Sequence, residues 1–75
     1  MDKQEFTLTE ESIQLCQLLK VAGLVGTGGE AKHCISEGMV EVDGVVETRK
    51  KKQIRSGQVI QFDGTELIVE SSPKH

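Results

Sequence analysis

Residues 27–44, TGGEAKHCISEGMVEVDG, constrain this chain more than any other stretch, because nearly every position carries a local structural instruction. Thr27 and Glu30 have the spacing of a capping box, in which each side chain accepts a hydrogen bond from the other's unpaired backbone N–H; a helix is expected to start there. Ala31, Cys34 and Ile35 recur at the i, i+3, i+4 spacing of one helical face and leave Lys32, His33, Ser36 and Glu37 toward solvent. Gly38 takes a left-handed conformation without a Cβ clash, so it is expected to end the helix, with Met39 packing back on the last turn. Val40 and Val42 alternate with Glu41 as in a strand, and Asp43-Gly44 suits a two-residue type I′ turn. The order is capped helix, glycine stop, strand, tight turn.

The rest of the chain reads as support for this stretch. Phe6 and Leu8 alternate with polar neighbours, which predicts a short edge strand over 5–8. Thr9 is the expected N-cap of a first helix over 10–22, with Glu10 and Glu11 where negative charge favours the helix dipole. Leu15, Leu18, Leu19 and Ala22 supply its apolar stripe, widened by Ile13 and Cys16, and Gly23 closes it. Glycines 26, 28 and 29 surround Thr27 but match neither G-x-x-x-x-G-K-[ST] nor G-x-G-x-x-G; they read as a tight connection between helices, whose second N-terminus is left open to a phosphate. After the first turn come Val45 and Val46, then an exposed crossing over 48–53. Val59, Ile60 and Phe62 form a strand, Asp63-Gly64 a second turn, and Leu67, Ile68 and Val69 the return, with Ile60 facing Leu67. Residues 71–75 are expected to fray.

Seventy-five residues make one domain, 1–75, with a thin stability margin. There is room for no second, catalytic domain. No long apolar run and no leader-like N-terminus is present, so neither a membrane span nor a signal peptide is expected and a cytoplasmic location follows. Cys16 and Cys34 are too few and too far apart for a disulfide framework or a zinc site, and read as small buried residues. A redox pair would need the two helices to pack with Cα atoms within about 7 Å. No metal site and no cofactor is expected.

The spacing of Ala31, Ile35, Gly38, Val40, Val42 and Gly44 resembles the S-four-type RNA-binding domain, also called the alpha-L motif and named after small-subunit ribosomal protein four. The resemblance runs from about 13 to 62 and includes Ser56-Gly57-Gln58-Val59-Ile60, which is similar to the family's closing Pro-Gly-Asp-hydrophobic segment. The stand-alone size and the run Val42 to Lys50 look most like the small bacterial YbcJ-like proteins. The implied fold class is α+β, with two antiparallel helices in a helix-loop-helix packed on a small, mainly antiparallel twisted sheet of four to five short strands. The implied function is noncatalytic binding of structured RNA, ribosomal or tRNA-like.

Charge distribution agrees with that implication even though the net charge is −3. Asp2, Glu5, Glu10 and Glu11 crowd the N-terminus, whereas five of the nine basic residues fall within 49–55, and the local field is what a polyanion meets. Lys32, His33, Arg49, Lys50, Lys51, Lys52 and Arg55 are the expected RNA-contacting residues; Lys20 lies at their edge or simply answers the dipole of the first helix. Four positions depart from the family pattern: Thr27-Gly28 stands for a customary Ser-Arg, His33 for an arginine, and Asp43 for an asparagine. The substitutions at 28 and 33 weaken two customary phosphate contacts, since an unperturbed histidine is mostly neutral at pH 7. The electrostatic load shifts to 49–55.

Other functions fit less well. With Phe6 and Phe62 as the only aromatics, stacking platforms for single-stranded bases are not expected. His33 and Cys34 are neighbours on a helix and diverge by about 100°, the wrong geometry for a base and nucleophile. The competing reading is a protein-interaction module that offers its acidic N-terminus, or a sheet edge at 5–8 or 67–70, to a partner chain. The chain is expected to be monomeric, with no membrane partner.

Overall fold

The structure is a computed structural model that describes residues 2–72. Its elements run β1 (Asp2–Leu8), β2 (Ile13–Gln14), α1 (Leu15–Val21), α2 (Gly28–Ser36), β3 (Val40–Val42), β4 (Val45–Val46), β5 (Gln53–Ile54), β6 (Val59–Phe62) and β7 (Thr65–Ser71). Five strands form one sheet in the order β1-β7-β6-β3-β4, and β2 pairs with β5 in a separate two-stranded ladder. The α+β class stands, with one difference. The sheet is mixed, because β1 runs parallel to β7 over its whole length, from Asp2 opposite Thr65 to Leu8 opposite Ser71.

The two hairpins follow their turn residues. Asp43 and Gly44 have φ of 52° and 85°, and Asp63 and Gly64 have 49° and 77°, as a type I′ turn requires at both central positions. The second turn sets the register so that Ile60 faces Leu67. Leu15, Leu18 and Leu19 of α1 and Ala31 and Ile35 of α2 pack with Val40, Ile60, Leu67 and Val69 of the sheet in one apolar cluster. Helix packing rather than helix propensity must carry these helices, since seven and nine residues are too few to be stable alone.

Both helices end in the same way. Gly38 N–H donates to Ile35 O and Met39 N–H to Cys34 O, both at 3.1 Å; Gly23 N–H donates to Lys20 O at 3.1 Å and Leu24 N–H to Leu19 O at 3.0 Å. These are two Schellman motifs, each with its glycine at positive φ. The Met39 side chain, expected to pack back, is exposed instead. The start of α2 also follows its residues with one shift. Thr27 Oγ1 accepts Glu30 N–H at 3.1 Å, but Glu30 Oε1 takes the N–H of Gly26 at 2.7 Å rather than that of Thr27.

Several boundaries need correction. α1 starts at Leu15, and Thr9, Glu10 and Glu11 belong to the connection before it; Ile13 and Gln14 are drawn off by pairing with Ile54 and Gln53. β7 lies between β1 and β6, so 67–70 is no sheet edge; the edges are β1 and β4. Ser71 pairs with Leu8, and Ser72 N–H donates to Leu8 O at 3.0 Å. The rest of the expected frayed tail, 73–75, lies outside the described residues. Cys16 and Cys34 are buried and free.

Candidate nucleic-acid interface

The basic segment is held by its backbone. Gln14, at the N-cap position of α1, makes no side-chain capping bond. Leu15 N–H donates instead to Lys52 O at 2.9 Å and Cys16 N–H to Lys50 O at 3.1 Å, which satisfies two of the donors that a helix start leaves unpaired. Lys52 N–H donates to Arg49 O at 3.1 Å and closes 49–52 into a turn. The crossing is therefore irregular, as its polar sequence predicts, yet fixed against α1. Lys50 and Lys51 are exposed and Lys52 is half-buried.

Arg49 has an internal partner. Glu47 Oε2 accepts the Arg49 backbone N–H at 3.0 Å and its Nε–H at 2.9 Å, and Glu47 Oε1 accepts Nη2–H at 3.1 Å. The Glu47 side chain is 14% exposed and that of Arg49 71%. The side-chain bonds from Arg49, then its backbone N–H, hold the Glu47 carboxyl far below its ordinary 4.5, at about 2. Glu47 is itself tied to the sheet, its N–H donating to Val40 O at 3.0 Å.

Ser36, at the end of α2, shares an open groove of about 750 Å³ with residues 48–53. Lys32 and His33 are exposed and lie four and three residues before Ser36, on the flank that leads into this groove. Ser36 Oγ donates to His33 O at 2.9 Å. Among the described residues, α2 contributes Ser36 to the lining of this concavity beside the lysine turn, and Lys32 and His33 are not in that lining. Arg55 stands apart from it, exposed, with Nη1 3.8 Å from Glu11 Oε1. At the start of α2, Glu30 sets a carboxylate where a phosphate was expected to approach, which makes that helix end a poor anion site.

The opposite side of the sheet carries the acid. Strand register puts Glu41, Gln61, Glu66 and Lys3 in one row and Val59, Ile68 and Glu5 in the next, with Glu70 beyond, all on the side away from Val40, Ile60 and Leu67. Four glutamates against one lysine make that face negative, so the net charge of −3 is spread unevenly. Phe62 is buried and Phe6 packs partly buried on the core, so neither offers a ring for base stacking. Sequence reasoning missed Ser36, Thr48 and Gln53 as groove residues, and Glu47 as the partner of Arg49. The signal for Glu47 was present: opposite charges two apart in an extended segment point to the same side.

Helix, loop, helix, strand and turn, with a lysine segment locked to the first helix, define a small module of the alpha-L type. The S4 domain profile matches residues 6–70, and the chain belongs to that family. YbcJ of Escherichia coli strain K12 is 50% identical over 57 residues, which cover 76% of this chain and 81% of YbcJ. The solution structure of YbcJ from E. coli, described as revealing an alpha-L motif involved in RNA binding, matches with a TM-score of 0.71 at 41% identity, over 93% of this chain and 90% of that one. Tyrosine–tRNA ligase of Moorella thermoacetica is 36% identical over 62 residues, 80% of this chain but 15% of the ligase. The 30S ribosomal protein S4e of Thermoplasma acidophilum shares the fold, with a TM-score of 0.59 and 24% identity over 77% of this chain and 31% of that one. The family read from residues 27–44 is the family found. No helix among the described residues is long and apolar enough to cross a membrane.

Proposed function

We propose that this chain is a noncatalytic RNA-binding module of the cytoplasm, acting as a single S4-type domain, and that it grips the phosphates of folded RNA in the groove between α2 and the 49–52 turn. The observation that carries this reading is the anchoring of the lysine turn by Leu15 and Cys16 beside Ser36. A flexible lysine run would lose conformational entropy on binding, whereas a turn already fixed by the fold presents its charges at lower cost. In this reading Lys50, Lys51 and Lys52 line the groove, while Lys32, His33 and Arg55 contribute from outside it. The acidic sheet face repels a polyanion, so RNA is steered to the helix side. Without exposed rings, recognition goes through backbone shape rather than stacked bases, which favours ribosomal RNA or tRNA over single strands. The description of YbcJ as carrying a motif involved in RNA binding supports the same reading.

The test is titration of the purified protein and its Lys50→Glu/Lys52→Glu variant with a folded tRNA and a structured ribosomal RNA fragment. The wild type binds and the variant does not, while its circular dichroism spectrum is unchanged; a substitution at exposed Lys50 rarely costs more than about 0.5 kcal/mol, and half-buried Lys52 is bonded to α1 through its backbone carbonyl, which the variant keeps. Equal affinity in the two proteins would remove the groove from consideration. Absence of binding by the wild type at low salt would favour the second reading, a protein-interaction module, for which the exposed Val45 and Val46 on edge strand β4 are the motivating feature.

A further inference from the structure

Among the described residues, Glu47 is the acidic side chain hydrogen-bonded to the 49–52 turn, and its effect there runs against simple charge counting. A carboxylate beside lysines lowers the local positive potential, so on electrostatic grounds alone it weakens a phosphate site. Yet this carboxylate is anchored and partly buried, and it accepts three hydrogen bonds from Arg49, one of them from the backbone. Its own N–H is fixed to Val40 O. The peptide of Arg49 is thereby held in one orientation beside Glu47. The Arg49 carbonyl then receives Lys52 N–H, and the carbonyls of Lys50 and Lys52 receive the first donors of α1. The lysine turn is tied at its entry to β3 through Glu47 and at its exit to α1.

We propose that Glu47 and Arg49 are positioning residues of the RNA face: together they set the course of the 49–52 turn, and Lys50, Lys51 and Lys52, rather than Arg49, meet the phosphates. This rests on the reading given under Proposed function. Arg49 is then needed for its planar, forked donor set, which a lysine at the same position lacks, and not for its charge toward RNA.

Opposite signs separate this from the electrostatic alternative. Glu47→Gln removes a negative charge from the segment and Arg49→Lys leaves the charge unchanged. If the pair positions the turn, each variant binds folded tRNA about 3- to 10-fold more weakly than wild type, as expected when one or two phosphate contacts are misplaced. Each also shows a shallower salt dependence. In a Lys50→Ala background the effect of Glu47→Gln shrinks, because the pair acts through the lysines and the two changes are not independent. Tighter binding by Glu47→Gln, or an Arg49→Lys variant equal to wild type, overturns the proposal while leaving the RNA-binding reading intact. A wild type that does not bind tRNA or ribosomal RNA overturns both.

Discussion

Asp43 and Val59 exchange two hydrogen bonds: Asp43 N–H donates to Val59 O at 2.8 Å, and Asp43 Oδ1 accepts Val59 N–H at 3.0 Å. Gln58 Nε2 adds a third, to Asp43 Oδ2 at 3.1 Å. The first hairpin turn is thus stapled to the start of β6, which explains an aspartate at a position where the turn alone asks only for tolerance of positive φ. Asp43→Ala loses both acceptors and places a Cβ-bearing residue without local side-chain hydrogen bonding at φ of 52°; it should destabilise the protein by about 2 kcal/mol in urea unfolding. Asp43→Asn, which keeps one acceptor and tolerates the conformation, should recover most of that loss.

Thr27→Ala tests the start of α2. Loss of the hydroxyl that accepts Glu30 N–H should cost about 1 kcal/mol, read as a lower urea midpoint at unchanged m-value. A larger change in m would mean that the helix itself had been lost.

Gly38→Ala separates conformational strain from crowding. A Cβ built there lies 3.6 Å from Val46 Cγ1, an ordinary contact, while φ stays at +76°. The cost should therefore be the left-handed penalty of about 1–2 kcal/mol. The same urea measurement checks it, and a neutral outcome would contradict the Schellman geometry.

The helix ends and turns were legible because their causes are local. Thr27, Gly38, Asp43-Gly44 and Asp63-Gly64 each act within a few residues, and each sits where its chemistry predicts. What could not be read depends on distant partners. The expected cap at Thr9 lost to Ile54, which pairs with Ile13, and to the carbonyls of Lys50 and Lys52, which cap α1 from 34 and 37 positions away. The parallel pairing of β1 was hidden because only Phe6 and Leu8 of its seven residues are apolar enough to show alternation. Likewise the basic cluster was visible in composition, whereas its attachment to α1 and the engagement of Arg49 by Glu47 required the fold.

Glu47 gives a pH test. Its carboxyl should titrate near 2 in the folded protein, against an ordinary 4.5, and in Arg49→Gln the midpoint should move back up; NMR of the side-chain carboxyl reads both. Because the folded value is the lower one, the stabilising contribution is complete above about 4.5 and is lost as pH falls from there through about 2. A wild-type midpoint near 4.5 would mean that the pair does not persist in solution.

The most direct test of the RNA-binding account is the salt dependence of affinity for a folded tRNA, with a duplex DNA of similar length as the comparison. Four or five phosphate contacts predict a log-log slope of roughly −3 to −4 and a preference for the RNA. A slope near zero, or equal binding of RNA and DNA, would contradict the claim that the groove between α2 and the lysine turn is built for folded RNA.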